Sequence, residues 1–112
     1  MSRRPLRKND TENKKLLYEI LVPAYWPNGE FIPIEYHQEW DKHVRELSNG
    51  FTILRSAIGE WNDGDKIIRE RMIPVRFIAD KEKLEMLLKY TKSFYNQSVI
   101  MAYKISDEVI FY

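Results

Sequence analysis

Apolar positions along the chain change their period several times, and each change marks a predicted element. Leu16-Leu17-Tyr18-Glu19-Ile20-Leu21-Val22 is a short, nearly unbroken apolar run of strand-forming types closed by Pro23, which predicts a buried central strand. The next residues hold Pro23, Pro27 and an Asn28-Gly29 turn signal, with Phe31-Ile32-Pro33 behind them, and predict a loop with room for a small hairpin. From Ile34 to Ser48 the apolar residues Tyr36, Trp40, Val44 and Leu47 recur at spacings of four, four and three, the repeat of one helical face. Asn49-Gly50 then supplies a left-handed stop.

Phe51 to Ile58 reads as a strand and Lys66 to Ala79 as a much longer one, joined by the turn chemistry of Asn62-Asp63-Gly64-Asp65. Pro74 has no N–H to give a ladder, so it belongs at a bulge or where the partner strand changes. Lys66 to Met72 is then an extended hairpin arm, and Val75 to Ala79 lies in the main sheet. Asp80 suits the N-cap of a second helix whose buried side runs through Leu84, Leu87, Leu88, Thr91 and Phe94 or Tyr95, ending near Asn96. Ser98 to Lys104 alternates as a final strand, and Glu108 to Tyr112 resumes as a short C-terminal strand.

The order of elements is β, α, β, β, α, β. Two helices, each with a single apolar stripe, are buried most simply on one face of an antiparallel sheet, and right-handed crossovers make this a ferredoxin-like βαββαβ sandwich of the α+β class. Residues 16–112 form the single domain of this reading. Such a sheet leaves its other face open, and the strands Ile67 to Ile78 and Val99 to Ile105 carry apolar residues on both faces, so a second copy is expected to cover it as a homodimer.

Composition narrows the chemistry. The chain has no cysteine, which removes disulfides, thiolate catalysis and Cys-ligated metal and fits a cytoplasmic protein. No apolar run approaches membrane-spanning length and no secretory h-region opens the sequence. A formal net charge of +1 hides an asymmetry, since residues 1–15 carry six Lys or Arg against Asp10 and Glu12. The basic tail, with Arg3, Arg4, Arg7 and Lys8, is read as flexible and is the candidate nucleic-acid contact.

His37 and His43 are six residues apart and fall on different sides of their helix, so no metal site is expected. His37 and Asp41 are one turn apart and make either an acid/base pair or a solvated surface pair. Glu60, Asp63, Asp65 and Glu70 gather around the hairpin tip without the ligand repeat of a calcium loop. No Gly-rich phosphate loop or nucleophile elbow is present, and no cofactor is expected. Arg69 and Arg71 share one strand face, with Glu70 on the other, and suit an anionic ligand or a structural ion pair with Glu60, Glu19 or a partner subunit. Trp26 and Trp61 fall in predicted loops, where they line a pocket or anchor an interface. Tyr18, Phe77 and Tyr103 supply either an aromatic platform for RNA or core or dimer contacts.

Gly50-Phe51-Thr52, Gly59-Glu60-Trp61, the long strand and Tyr95-Asn96-Gln97-Ser98 together resemble small bacterial ferredoxin-like proteins of uncharacterised function. The resemblance covers roughly residues 16–105; it implies the βαββαβ fold and carries over no catalytic residue.

With no convergent catalytic set, the sequence reads as a non-enzymatic binding or regulatory module. It acts as a homodimer on a protein or a small anionic ligand through Arg69, Arg71, Trp26 and Trp61. Two alternatives stand beside it: a small dimeric α+β-barrel enzyme of cofactor-independent oxygenase or isomerase type, with His37 or Glu70 moving a proton, and a nucleic-acid binder led by the tail.

Overall fold

A computed structural model describes residues 14–112; the tail residues Arg3, Arg4, Arg7 and Lys8 lie outside that range. The elements are β1 (Leu16–Pro23), α1 (Ile34–Ser48), β2 (Thr52–Ile53), β3 (Ala57–Asp63), β4 (Lys66–Ala79), α2 (Lys81–Phe94) and β5 (Ala102–Ser106). The strands form one antiparallel sheet in the order β2-β4-β1-β5, with β3 also pairing to β4. Taking β2 and β3 as one interrupted strand, this is the ferredoxin-like arrangement the periodicity predicts. No helix among the described residues is long and apolar enough to cross a membrane.

Alternation decides which side of the sheet the helices cover. Tyr18, Ile20 and Val22 of β1 and Val75, Phe77 and Ala79 of β4 are buried in one cluster with Trp40 and Val44 of α1 and Leu87 of α2, beside Tyr95. Both helices therefore lie on that face, and each large side chain removed from water there contributes about 2–3 kcal/mol. The intervening positions Leu17, Glu19, Leu21, Met72, Pro74, Arg76 and Ile78 point to the opposite, uncovered face. One polar chain crosses the core: the Trp40 indole N–H donates to Thr91 Oγ1 at 2.9 Å, and Thr91 Oγ1 donates to the Leu87 carbonyl at 2.6 Å.

The helix ends follow local chemistry. Asn49 takes a left-handed φ of 66° and returns its N–H to the Arg45 carbonyl, closing α1. Asp80 caps α2 by accepting from the Lys83 N–H at 2.8 Å, and Asn96, also left-handed, closes it.

Pro74 sits where β4 changes partners, from β3, which ends at Ala57 opposite Met72, to β2, which ends at Ile53 opposite Val75. The Pro74 carbonyl still accepts from Leu54 N–H at 2.9 Å, but the proline has no donor to return, and the ladder breaks between Leu54 and Ser56. The expected single strand from Phe51 to Ile58 is therefore two, and β3 continues through Gly59-Glu60-Trp61 to Asp63, placing Trp61 in a strand rather than a loop.

The C-terminal part also differs. The strand expected from Ser98 begins only at Ala102, although Leu21 N–H still donates to the Met101 carbonyl at 3.0 Å just before it. Glu108–Tyr112 is not a strand: the Ser106 hydroxyl bonds both the N–H and the carbonyl of Glu108, turning the chain off the sheet.

Candidate functional site

A groove of about 1010 Å³ opens at the end of the sheet where β1 stops. Its walls come from three separate parts of the chain: the loop carrying Tyr25 and Trp26, the hairpin arm with Trp61 and Arg69 to Met72, and the Gln97–Met101 approach to β5. Leu21 and Pro23 form its inner end. Trp26, Trp61, Arg69, Glu70 and Arg71, which the sequence singled out separately, are thus brought to one place.

Each gets there for a local reason. Pro23 ends β1, and the following loop folds back, with the Ala24 carbonyl accepting from Ile32 N–H at 3.1 Å and Tyr25 bridging to Phe31. Trp26 is then held edge-on against Tyr36 of α1, ring centres 4.7 Å apart. On the arm, Trp61, Glu70 and Met72 share the open-side face, and Trp61 Nε1 donates to Glu70 Oε2 at 3.2 Å. The indole fits because residue 59 is glycine, since a Cβ there would stand 2.6 Å from Trp61 Cζ2 and would also run into Met72 Cε. Arg69 and Arg71 project from the other face of the same ribbon, so the groove wraps around the β4 edge. Arg71 Nη1 reaches Ser56 Oγ at 3.2 Å. Neither arginine forms an ion pair with Glu60 or Glu19 among the described residues; Glu19 is taken by Arg76.

That pair makes a second polar feature, on the uncovered face. Glu19 is buried and accepts from Arg76 Nε at 3.0 Å through one oxygen and from the Tyr103 hydroxyl through the other. The hydrogen bond to Glu19, assisted by desolvation, raises the Tyr103 pKa. Tyr18 and Phe77 are core residues under the helices, the second of the two alternatives the sequence offered for them, and Tyr103 is engaged with Glu19, so the three rings share no platform for RNA.

His37 lies away from the groove. Its Nδ1 is 2.7 Å from the Tyr95 hydroxyl, and no hydrogen bond joins it to Asp41. Burial lowers the His37 pKa and raises those of Tyr95 and Asp41, with Arg45 partly offsetting the last. His37 and Glu70, the two acid/base candidates, therefore belong to separate neighbourhoods and do not converge on one reacting centre. His43 stacks on Tyr90, ring centres 3.7 Å apart. Among the described residues no three His, Cys, Asp or Glu side chains gather as metal ligands.

Met72, Gly59 and the Gln97–Met101 wall were not foreseen as parts of a site. Gly59 sits in a Gly-Glu-Trp run whose spacing signals nothing until β3 and β4 are in register, and the wall depends on where β1 stops.

No protein-family model matches the chain, and no curated protein matches it in sequence. Solved structures do. CutA1 from the psychrotrophic bacterium Shewanella sp. SIB1, described as a stable protein, superposes with a TM-score of 0.67 at 10% identity, over 89% of this chain and 87% of that one. The periplasmic divalent cation tolerance protein CutA from Archaeoglobus fulgidus gives 0.64 at 14%, over 87% of each chain. The divalent cation tolerance protein of Thermus thermophilus gives 0.62 at 12%, over 81% of this chain and 82% of that one. What this chain shares with these CutA proteins, at such low identity, is their ferredoxin-like fold.

Proposed function

We propose that the chain is a non-enzymatic binding module, acting as a homodimer, whose site is the groove beside the hairpin arm and whose ligands are anionic groups carried on an apolar body. The observation that carries this reading is the convergence of Arg69 and Arg71 with Trp26 and Trp61, from distant chain segments, on one concavity of ligand size. Guanidinium groups favour carboxylate, sulfonate or phosphate, and the indoles, Leu21, Ile58 and Met72 offer apolar contact. The separation of His37 from Glu70 supports binding over proton-transfer catalysis. A homodimer is supported by exposed Met101, Tyr103 and Ile105 on β5 and its approach and by Ile58, Ile67 and Ile68 on the arm. The divalent-cation role named for the similar structures has no matching donor set within one copy of this chain among the described residues.

The test is a titration with the aromatic anion anilinonaphthalene sulfonate, followed by its fluorescence. The reading expects saturable binding to the native chain, weakened about tenfold or more in Arg69→Glu/Arg71→Glu, whose circular dichroism and melting should match the parent. Equal binding by the parent and the doubly substituted chain would reject the groove as an anion site.

A further inference from the structure

Two walls of the groove rest on one buried side chain. The Trp26 ring centre is 6.3 Å from that of Tyr95, and Trp26 lies edge-on to Tyr36, itself 5.8 Å from Tyr95. Past the end of α2, Gln97 Nε2 donates to the Tyr95 carbonyl at 3.0 Å, and the Gln97 N–H closes onto the Lys92 carbonyl at 2.9 Å. Trp26 and Gln97 both line the groove. Tyr95 is fully buried and also packs on Phe94 and Trp40, ring centres 5.1 and 6.3 Å away, so a shift of its ring is passed to its neighbours rather than absorbed by empty space.

Among the described residues the Tyr95 hydroxyl has one hydrogen-bond partner, His37 Nδ1 at 2.7 Å. For the tyrosine proton to be used, Nδ1 must accept it, which puts the proton of the neutral imidazole on Nε2. Protonation reverses this. Both nitrogens of an imidazolium are donors, so Nδ1–H and the Tyr95 O–H then face each other along one short line. One of the two protons must turn toward apolar rings, because Tyr95 is out of reach of water. If His37 swings outward instead, the tyrosine proton is stranded all the same.

The charged and titratable groups around the pair supply no substitute acceptor in this arrangement. Asp41, one turn along α1, acts on Tyr95 electrostatically, as do Tyr36 and Tyr90, but none of them hydrogen-bonds to it among the described residues. The Tyr36 hydroxyl is spent on the Phe94 carbonyl. Arg45 acts on Asp41, Glu39 acts on Tyr90, and His43 is stacked on Tyr90.

We propose that His37 and Tyr95 form a pH-sensitive switch behind the groove: neutral His37 takes the Tyr95 hydroxyl proton and holds the Trp26 and Gln97 walls in their anion-binding arrangement, and protonated His37 releases them. The switch deepens the binding reading, on which it rests, by naming what regulates occupancy. Burial holds His37 below its ordinary 6.5, so release belongs to mildly acidic conditions. The coupling is reciprocal, and an occupied groove makes His37 harder to protonate.

The test is an anilinonaphthalene sulfonate titration of the full chain between about pH 7.5 and 5 at constant ionic strength, read as the part of the binding that Arg69→Glu/Arg71→Glu removes. In the parent that part should weaken about fivefold or more as pH falls. In His37→Gln, whose amide oxygen accepts the tyrosine proton at every pH, it should match the parent's neutral value and stay level. Tyr95→Phe, with no hydroxyl proton to strand, should also stay level, whereas His43→Gln should keep the parent's fall. The His37 midpoint, followed by the proton resonance of its Cε1–H, should drop by about 0.7 pH unit for a fivefold coupling when the dye is saturating. Arginine-dependent binding that is level in the parent, a fall that persists in His37→Gln as one carried by Glu70 of the groove itself would, or an unmoved His37 midpoint overturns the switch and leaves the anion site standing. Dye binding that owes nothing to Arg69 and Arg71 at neutral pH overturns the groove reading, and the switch with it.

Discussion

Replacing Thr91 by valine removes one oxygen from the core at nearly constant shape, and its cost can be worked out from two contacts. Thr91 is fully buried, and its Oγ1 is the acceptor for the indole N–H of Trp40, itself 1% exposed. Valine leaves that donor facing apolar atoms with no water to turn to, a penalty of about 1–3 kcal/mol. The second lost bond, to the Leu87 carbonyl, costs less, because that carbonyl also accepts within the helix ladder. The added methyl returns up to about 1 kcal/mol of transfer free energy, leaving a net loss of about 2 kcal/mol. Thr91→Ser makes the opposite change, keeping the oxygen and deleting a buried methyl, at about 1 kcal/mol.

Urea unfolding followed by tryptophan fluorescence decides between these values. With an m-value of about 1–1.5 kcal/mol/M for a chain of this size, Thr91→Val should lower the midpoint by about 1.3–2 M and Thr91→Ser by about half that. The sharper reading is the double-mutant cycle. In a Trp40→Phe background there is no indole donor to strand, and Thr91→Val should become nearly neutral, giving a coupling of about 2 kcal/mol. A valine variant at least as stable as the serine one, or an undiminished cost in the Trp40→Phe background, would refute the claim that this hydrogen bond ties α1 to α2.

Three further outcomes follow from the same geometry. Tyr103→Phe deprives the buried Glu19 carboxylate of one of its two partners and should cost about 1 kcal/mol in urea unfolding at neutral pH, discounted for the half-exposed ring. Gly59→Val should displace the Trp61 indole from its seat against Met72, shifting Trp61 emission and weakening anilinonaphthalene sulfonate binding, with Gly59→Ala milder. Stability should also depend on pH through His37: burial holds its folded pKa below the unfolded value of 6.5, so the unfolded chain binds the proton first. Melting temperature should therefore fall as pH drops below about 6.5 and level off below the folded pKa, a slope that His37→Gln removes. Asp41, whose pKa is raised, acts in the opposite sense in its own window, with stability falling as pH rises from 3.8 through the folded value.

What could be read from the chain was whatever depends on neighbours in sequence. The stripe Tyr36, Trp40, Val44, Leu47 needs only a 3.6-residue period to be seen, and α1 spans Ile34–Ser48 as that period requires. Pro74 announced a change of partner because a missing donor is a property of the residue alone. Contacts between distant segments left no such mark. Nothing in the spacing of His37 and Tyr95, 58 residues apart, announces their hydrogen bond. Trp61 was placed in a loop because it lies past Ile58, outside the periodic runs, whereas in the folded chain β3 continues and the missing side chain of Gly59 lets the indole lie over Met72. Glu108–Tyr112 has the composition of a strand, but composition does not supply a neighbour, and its own sheet has none at that end.

The open edge of the hairpin arm follows from a mismatch of lengths. β4 has fourteen residues and β1 eight, so a sheet built around β1 must leave part of β4 without a central neighbour. A protein that managed this edge defensively would cover it with charge or a bulge. Here the arm is regular, carries isoleucine on both faces at 58, 67 and 68, and sets Lys66, Arg69, Glu70 and Arg71 among them, with both arginines lining the groove. Arg69 and Arg71 therefore stand on an edge that the described residues leave without a central neighbour, which is why the Arg69→Glu/Arg71→Glu chain is the deciding comparison for the anion-site reading.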